Sequence, residues 1–320
     1  MQKRFDARRF LQNNLVLMTI VLLVAVTAIL EPKFLSVANL GNIMNQFGPL
    51  SFVSLGMTIA IIGGFIDLSV AGIVSLTAVF TISMIDVLGQ GGALVAGLAL
   101  GVLLGLVNAL VLITCGALTQ AKAVFITYAL SAVYSALALL YTDGATQHMS
   151  YLNSPVTLFK GIGSGRLGFI PISFLLFMLA MCSLHVFLTR TQTGRELRLT
   201  GANMTAASLS GIPVKLRVML IFMLCGGLSA AGAIILFSRI TTASPLLGAN
   251  YETNAILAVV VGGTSLAGGR GSVVRTMMGV MLVTLLSNCM NLLGVSTYMQ
   301  TVCKGLILII AIWIDRRRMK

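Results

Sequence analysis

Apolar runs close to 20 residues long recur along this 320-residue chain, separated by short polar or glycine-rich breaks. Runs of that length match the hydrocarbon thickness of a bilayer crossed by a helix. Ten are read, at about 14–30, 47–64, 69–88, 92–114, 123–141, 169–189, 218–237, 254–267, 273–294 and 298–314. They lack period-two alternation, so helices are expected rather than barrel strands. The run at 254–267 is short for a full crossing. Two pairs of runs are interrupted from within, the pair 47–88 by GGFIDLS and the pair 254–294 by VVVGGTSLAGGRGSVV. The pattern predicts an all-α, polytopic membrane protein with about ten transmembrane helices, some of them broken.

Composition sharpens this picture. The chain is 58% apolar and only 9% charged, with mean hydropathy +1.01, whereas a soluble chain carries about 25% charged residues. The solvent for so much apolar surface is the lipid bilayer. The 33 glycines suit closely packed membrane helices. The net charge of +13 reads as topology rather than nucleic-acid binding, because the cations lie between apolar runs and at the chain ends. With a cytoplasmic N-terminus and ten alternating spans, Lys33, Lys160, Arg166 and Arg239 fall outside and Lys304 falls inside the last span. The remaining 16 of the 21 cations face the cytoplasm. That bias predicts both termini inside. The N-terminal apolar run ends in EPKF with no small-residue cleavage site and is expected to stay as an anchor.

A single transmembrane domain over 1–320 is expected, with two long connections: an outer loop at about 142–168 and an inner one at about 190–217. Five cysteines without a CxxC pair predict neither structural disulfides nor a zinc site. There is no GxxxxGK[ST] loop, HExxH motif, nucleophile triad or metal-ligand cluster. An intramembrane enzyme therefore fits poorly, and no cofactor or metal is expected on this chain.

Three features carry candidate function. Asp67, in GGFIDLSVAG, is flanked by apolar sequence, and a carboxylate in that setting needs a partner or water. It either caps the following helix or couples ion movement. Asp86 lies near a span end, and Lys304 is expected to reach an interface or pair with a carboxylate. The stretch at 259–274, with five glycines and Arg270, is either a tight turn between packed helices or the mouth of a transport pathway. Within the inner loop, ANMTAASLS is a short amphipathic segment bounded by Gly201 and Gly211. Ala206, Ala207 and Leu209 could form a small apolar face lying on lipid or docked in a partner's groove. The small alanines and few cations favour docking.

Four ordered blocks resemble the membrane permease of ATP-binding-cassette importers of the ribose, galactose, xylose and arabinose group. They are FIDLSVAG (65–72), TGRELRLTGANMTAASLSGI (193–212), NAILAVVVGGTSLAGGRGSV (254–273) and NLLGVSTYMQTVCKGLILII (291–310). The resemblance covers most of the chain, especially its second half. It implies an inner-membrane importer translocating a monosaccharide or small sugar-like solute. The implied partners are a second permease chain, identical or different, a cytoplasmic ATPase that holds ATP and Mg, and a periplasmic sugar-binding protein. It also implies that 193–212 is the coupling loop, with Arg195, Asn203, Ala206, Ala207, Leu209, Ser210 and Gly211 at the ATPase contact. Pathway or broken-helix candidates are Asp67, Ser69, Asn108, Asn254, Thr264, Ser265, Asn288 and Asn291. The chain departs from the family at Phe65, Ala71, Ala202 and Arg275, where glycine is usual, and at Val124-Phe125, where Pro-Phe is usual. The rival reading is an ion-coupled secondary transporter using Asp67. A second rival is a membrane scaffold that transports nothing.

Overall fold

The computed structural model describes residues 15–318. Twelve α-helices run along them: α1 (Leu15–Leu30), α2 (Val37–Ile62), α3 (Val70–Thr114), α4 (Gln120–Tyr141), α5 (Thr157–Ser164), α6 (Ile172–Arg190), α7 (Gln192–Ala202), α8 (Met204–Leu209), α9 (Val214–Ile240), α10 (Tyr251–Val261), α11 (Val273–Leu292) and α12 (Thr297–Arg318). Among the described residues, six of these (α2, α3, α4, α6, α9 and α11) are long and apolar enough to cross a membrane. The apolar runs at 69–88 and 92–114 are one unit, α3, broken at Gly89 where φ is +71°. The run at 254–267 is helical only to Val261, and a turn follows. Shorter apolar helical stretches are Val16–Leu30 in α1, Tyr251–Val261 in α10 and Thr297–Trp313 in α12.

The core is built around α9 and α2. Helix α9 packs most extensively on α3, then on α2. Helix α2 is buried from Phe47 to Ile62, as a helix apolar on all sides must be. Glycine decides how closely α9 approaches α3. A Cβ on Gly105 would strike the Phe222 carbonyl, and one on Gly226 would strike the Gly101 carbonyl. Backbones in contact gain dispersion over a long seam, which matters where lipid offers no hydrophobic force between helices. The outer helices leave large apolar side chains exposed, among them Leu22, Phe125, Leu179 and Ile309; in a bilayer these face acyl chains.

The segment expected as an outer loop, 142–168, contains secondary structure of its own. It contains α5, whose Phe159 is fully buried and packs on Phe237 of α9 at 5.4 Å between ring centroids. Two short antiparallel ribbons flank it: β1 (Gln147–His148) pairs with β4 (Thr242–Ala243), and β2 (Arg166–Leu167) pairs with β3 (Ile170–Pro171). Side chains on either side of the Gly89 break hold it in place. Asp86 accepts the Asn153 and Ser154 amides at 3.2 and 2.8 Å, and Gln90 accepts the Leu158 amide at 2.6 Å.

Candidate functional site

The two internal interruptions end their helices the same way. After α2, the Phe65 amide donates to the Ala60 carbonyl and the Gly64 amide to the Ile61 carbonyl. After α10, the Thr264 amide donates to Val259 and the Gly263 amide to Val260. Gly64 and Gly263 both sit at φ +87°, the left-handed residue that a Schellman end requires. Matched glycine breaks in the two parts of a membrane chain point to a transport site. The repeat is legible in the sequence as the Gly63-Gly64 and Gly262-Gly263 pairs.

At the first break lies a buried polar chain. Asp67 Oδ1 accepts the Ser69 amide at 2.9 Å and the Ser69 hydroxyl at 2.6 Å. Asn108 Nδ2 donates to Ser69 Oγ at 2.6 Å, and the Tyr134 hydroxyl donates to Asn108 Oδ1 at 2.8 Å. All four residues are buried, and the thiol of Cys225 lies beside the carboxyl. Asp67 is not the cap residue of α3. That position is Ser69, whose carbonyl takes the first helical bond, from Ile73; Asp67 closes the turn before it. Thr127 supports the same turn by accepting the Leu68 amide at 3.1 Å. Phe65 is fully buried and packs on Phe222 at 5.5 Å.

At the second break, Thr264 is buried and Ser265 half-buried. The Ser265 amide donates to the Arg270 carbonyl, which tightens the turn, while the Arg270 side chain is exposed. Asn254 is half-buried in the first turn of α10. Asn288 and Asn291 belong to a separate group. Asn288 and Asn39 exchange amide hydrogen bonds at 2.9 and 3.0 Å, joining α11 to α2. Asn291, exposed, accepts from Gln300 at 2.7 Å. Lys304 is half-buried and has no ion-pair partner among the described residues, where Arg217–Glu196 is the one ion pair.

Helices α7 and α8 form the exposed hairpin predicted as a docking element. Thr191 caps α7 by accepting the Gly194 amide, and Asn203 caps α8 by accepting the Ala206 amide at 3.0 Å. Gly211, at φ +80°, ends the segment. Arg195, Asn203, Ala206, Leu209, Ser210 and Gly211 are exposed, Leu209 to 86%. Ala207 corrects the expectation: it is only 4% exposed and turns into the chain itself. Ala206 and Ala207 therefore do not share an outward face. The ion pair of Glu196 with Arg217, at 2.6 Å, ties α7 to the start of α9. Arg198, missed from the sequence, is half-buried and donates to the Leu188 and Gly271 carbonyls at 3.3 and 3.0 Å. Desolvation lowers its pKa from the usual arginine value.

Long apolar helices around buried polar junctions define a multi-pass membrane protein. The chain belongs to the family described as the permease component of branched-chain amino acid transport systems, whose model matches residues 39–312. It is 31% identical over 317 residues to the ribose import permease protein of Escherichia coli (strain K12), covering 99% of this chain and 97% of the relative. It is 38% identical over 325 residues to the ribose import permease protein of Bacillus subtilis (strain 168), covering 99% and 97%. It is 28% identical over 326 residues to the galactose/methyl galactoside import permease protein of Escherichia coli (strain K12), covering 96% and 94%. No solved structure matches significantly. The chain is thus a transmembrane permease subunit of an ABC importer.

Proposed function

We propose that this permease carries a monosaccharide or small sugar-like solute across the bacterial inner membrane, driven by ATP hydrolysis on partner chains. The observation that carries the substrate class is likeness over nearly the whole chain to permeases named for ribose. The family description names amino acids, whereas the relatives matched over nearly the whole chain are named for ribose. A single transmembrane domain spans 1–320. The chain crosses ten times with both termini cytoplasmic; the Gly89 break gives α3 two crossing arms, and 16 of the 21 cations fall inside.

ATP and Mg belong to a cytoplasmic ATPase, and solute is delivered by a periplasmic binding protein. A second permease chain completes the pathway. Helices α7 and α8, within 190–217, form the ATPase contact. Leu209 is its apolar tip, Arg195, Asn203, Ala206, Ser210 and Gly211 lie around it, and Ala207 supports it from behind. Asp67, Ser69, Asn108, Thr264 and Ser265 lie at or near the helix breaks that shape the pathway, Asn254 lines it from the opposite end of α10, and Asn288 and Asn291 brace the helices at its outer end. The ion-coupled alternative is not favoured, since hydrogen bonds from Ser69 give Asp67 a structural role.

The test is purification of the tagged permease in mild detergent, with mass spectrometry and uptake assays. The ATPase and binding protein are expected to co-purify, and Leu209→Asp is expected to lose the ATPase while reaching normal membrane levels. Uptake that survives deletion of the ATPase and collapses with the ion gradient refutes the proposal.

A further inference from the structure

Both helix breaks and the exposed α7–α8 hairpin meet with almost no side chain between them. Gly201, near the end of α7, lies on Gly64: a Cβ on Gly201 would strike the Ile62 carbonyl, and one on Gly64 would lie 3.2 Å from the Gly201 Cα. Gly268 of the second break fits into the same contact. A Cβ there would strike the Gly201 carbonyl and lie 2.9 Å from the Gly64 Cα. The Gly269 amide donates to the Ile62 carbonyl at 2.8 Å, joining the two breaks directly. One side chain fastens this joint to α7: Arg198, which bridges the end of α6 at Leu188 to the turn at Gly271. The same turn is held from its other side. Gln120 of α4 donates to the Leu266 carbonyl at 2.8 Å, and Asp315 of α12 accepts the Leu266 amide at 3.3 Å.

Side chains between two elements absorb a displacement by changing rotamer. Backbone seated on backbone cannot, and tightly packed interiors transmit strain. A push on α7 must therefore either move the second break with it or separate the joint. We propose that Arg198 is a positioning residue for energy coupling: it locks α7 to the turn at 262–272, so that movement of α7 and α8 is delivered through the Gly64–Gly201–Gly268 joint to both broken helices. The proposal rests on the reading of α7 and α8 as the ATPase contact. It goes beyond that contact by stating where the motion is passed on and by which residues.

The experiment uses the full permease with its co-purified ATPase in lipid nanodiscs. Hydrogen exchange is followed by mass spectrometry before and after Mg·ATP with orthovanadate, a probe that needs no knowledge of the solute. In the wild type, peptides covering 190–212 and 262–272 both change. Arg198→Ala keeps the response at 190–212, while that at 262–272 falls about tenfold, the equilibrium factor carried by one hydrogen bond from a charged donor. Gly201→Ala, which wedges a methyl against the Ile62 carbonyl, produces the same split. If Arg198→Ala does not accumulate, Arg198→Lys replaces it. Lysine lacks the guanidinium fork that spans two carbonyls, so the response at 262–272 must still drop.

A response at 262–272 that stays at wild-type strength in these variants overturns the inference. So does a variant that is merely less stable, with both responses changing in proportion. A wild-type complex that responds at 190–212 but not at 262–272 overturns it too. A wild-type permease that brings down no ATPase instead overturns the docking reading, and the inference falls with it.

Discussion

Replacing Asp67 separates a structural carboxyl from an ion-coupling one. In the structure, Asp67 Oδ1 is the acceptor for two buried donors of Ser69, its amide and its hydroxyl. Leucine has the same branched skeleton but bulkier methyl ends and no acceptor. Each buried donor left unpaired costs ~1–3 kcal/mol, so Asp67→Leu should cost ~2–6 kcal/mol. That is a large share of the ~5–15 kcal/mol that holds a native protein together. The loss should also spread, because Ser69 Oγ is the acceptor for Asn108, which in turn accepts from Tyr134. Asparagine keeps an oxygen in the Oδ1 position, and Asp67→Asn should cost no more than ~1–2 kcal/mol. The assay is the fraction of monodisperse fluorescent-tagged permease surviving a temperature series in detergent, paired with uptake in cells. Expected are a low yield and low melting temperature for Asp67→Leu, and near-normal folding with most uptake retained for Asp67→Asn. If Asp67→Leu is as stable as the wild type, the argument about unpaired donors is wrong. If Asp67→Asn folds normally but abolishes uptake, the carboxylate is needed for its charge and the ion-coupled reading returns.

The paired amides of Asn39 and Asn288 should be coupled: Asn288→Leu alone is expected to destabilise by an amount on the order of 1 kcal/mol, and adding Asn39→Leu should cost less than it does alone. A strictly additive double mutant in the same thermal assay would show that the pair does not hold α2 to α11. For topology, a phosphatase reporter inserted at Asn153 should be active outside and one fused after Lys320 inactive inside; matching activity at both places refutes the ten-crossing arrangement.

The glycine pair at 262–263 shows how far the sequence could be read. Five glycines within an apolar run required a break there, and the break is found. Their number could not say what the glycines touch. Gly268 owes its identity to Gly64 and Gly201, residues far away in the chain. Arg198 was counted only as one of the inner-loop cations, because nothing adjacent in sequence marks a guanidinium that bridges two carbonyls. Helix α5 was missed for a related reason. TLFKGIGS has the composition of a loop, with two glycines in eight residues, and its helical state rests on burying Phe159 against Phe237.

Long apolar runs by themselves determined the helices, the lipid solvent and the places where helices break. Transfer of apolar residues out of water and satisfaction of backbone hydrogen bonds are local constraints, and composition along the chain is enough to state them. The side of α8 that faces outward was a different matter. Ala206 and Ala207 are adjacent and chemically identical, yet one is exposed and the other buried. A helix of six residues has too little periodicity to set its own rotation; contact with α7 and α9 sets it. Tertiary structure alone likewise decided that Asn108 belongs with Asp67 while Asn288 belongs with Asn39. A buried amide must find a partner, but sequence shows only the need, and packing selects which partner is within reach.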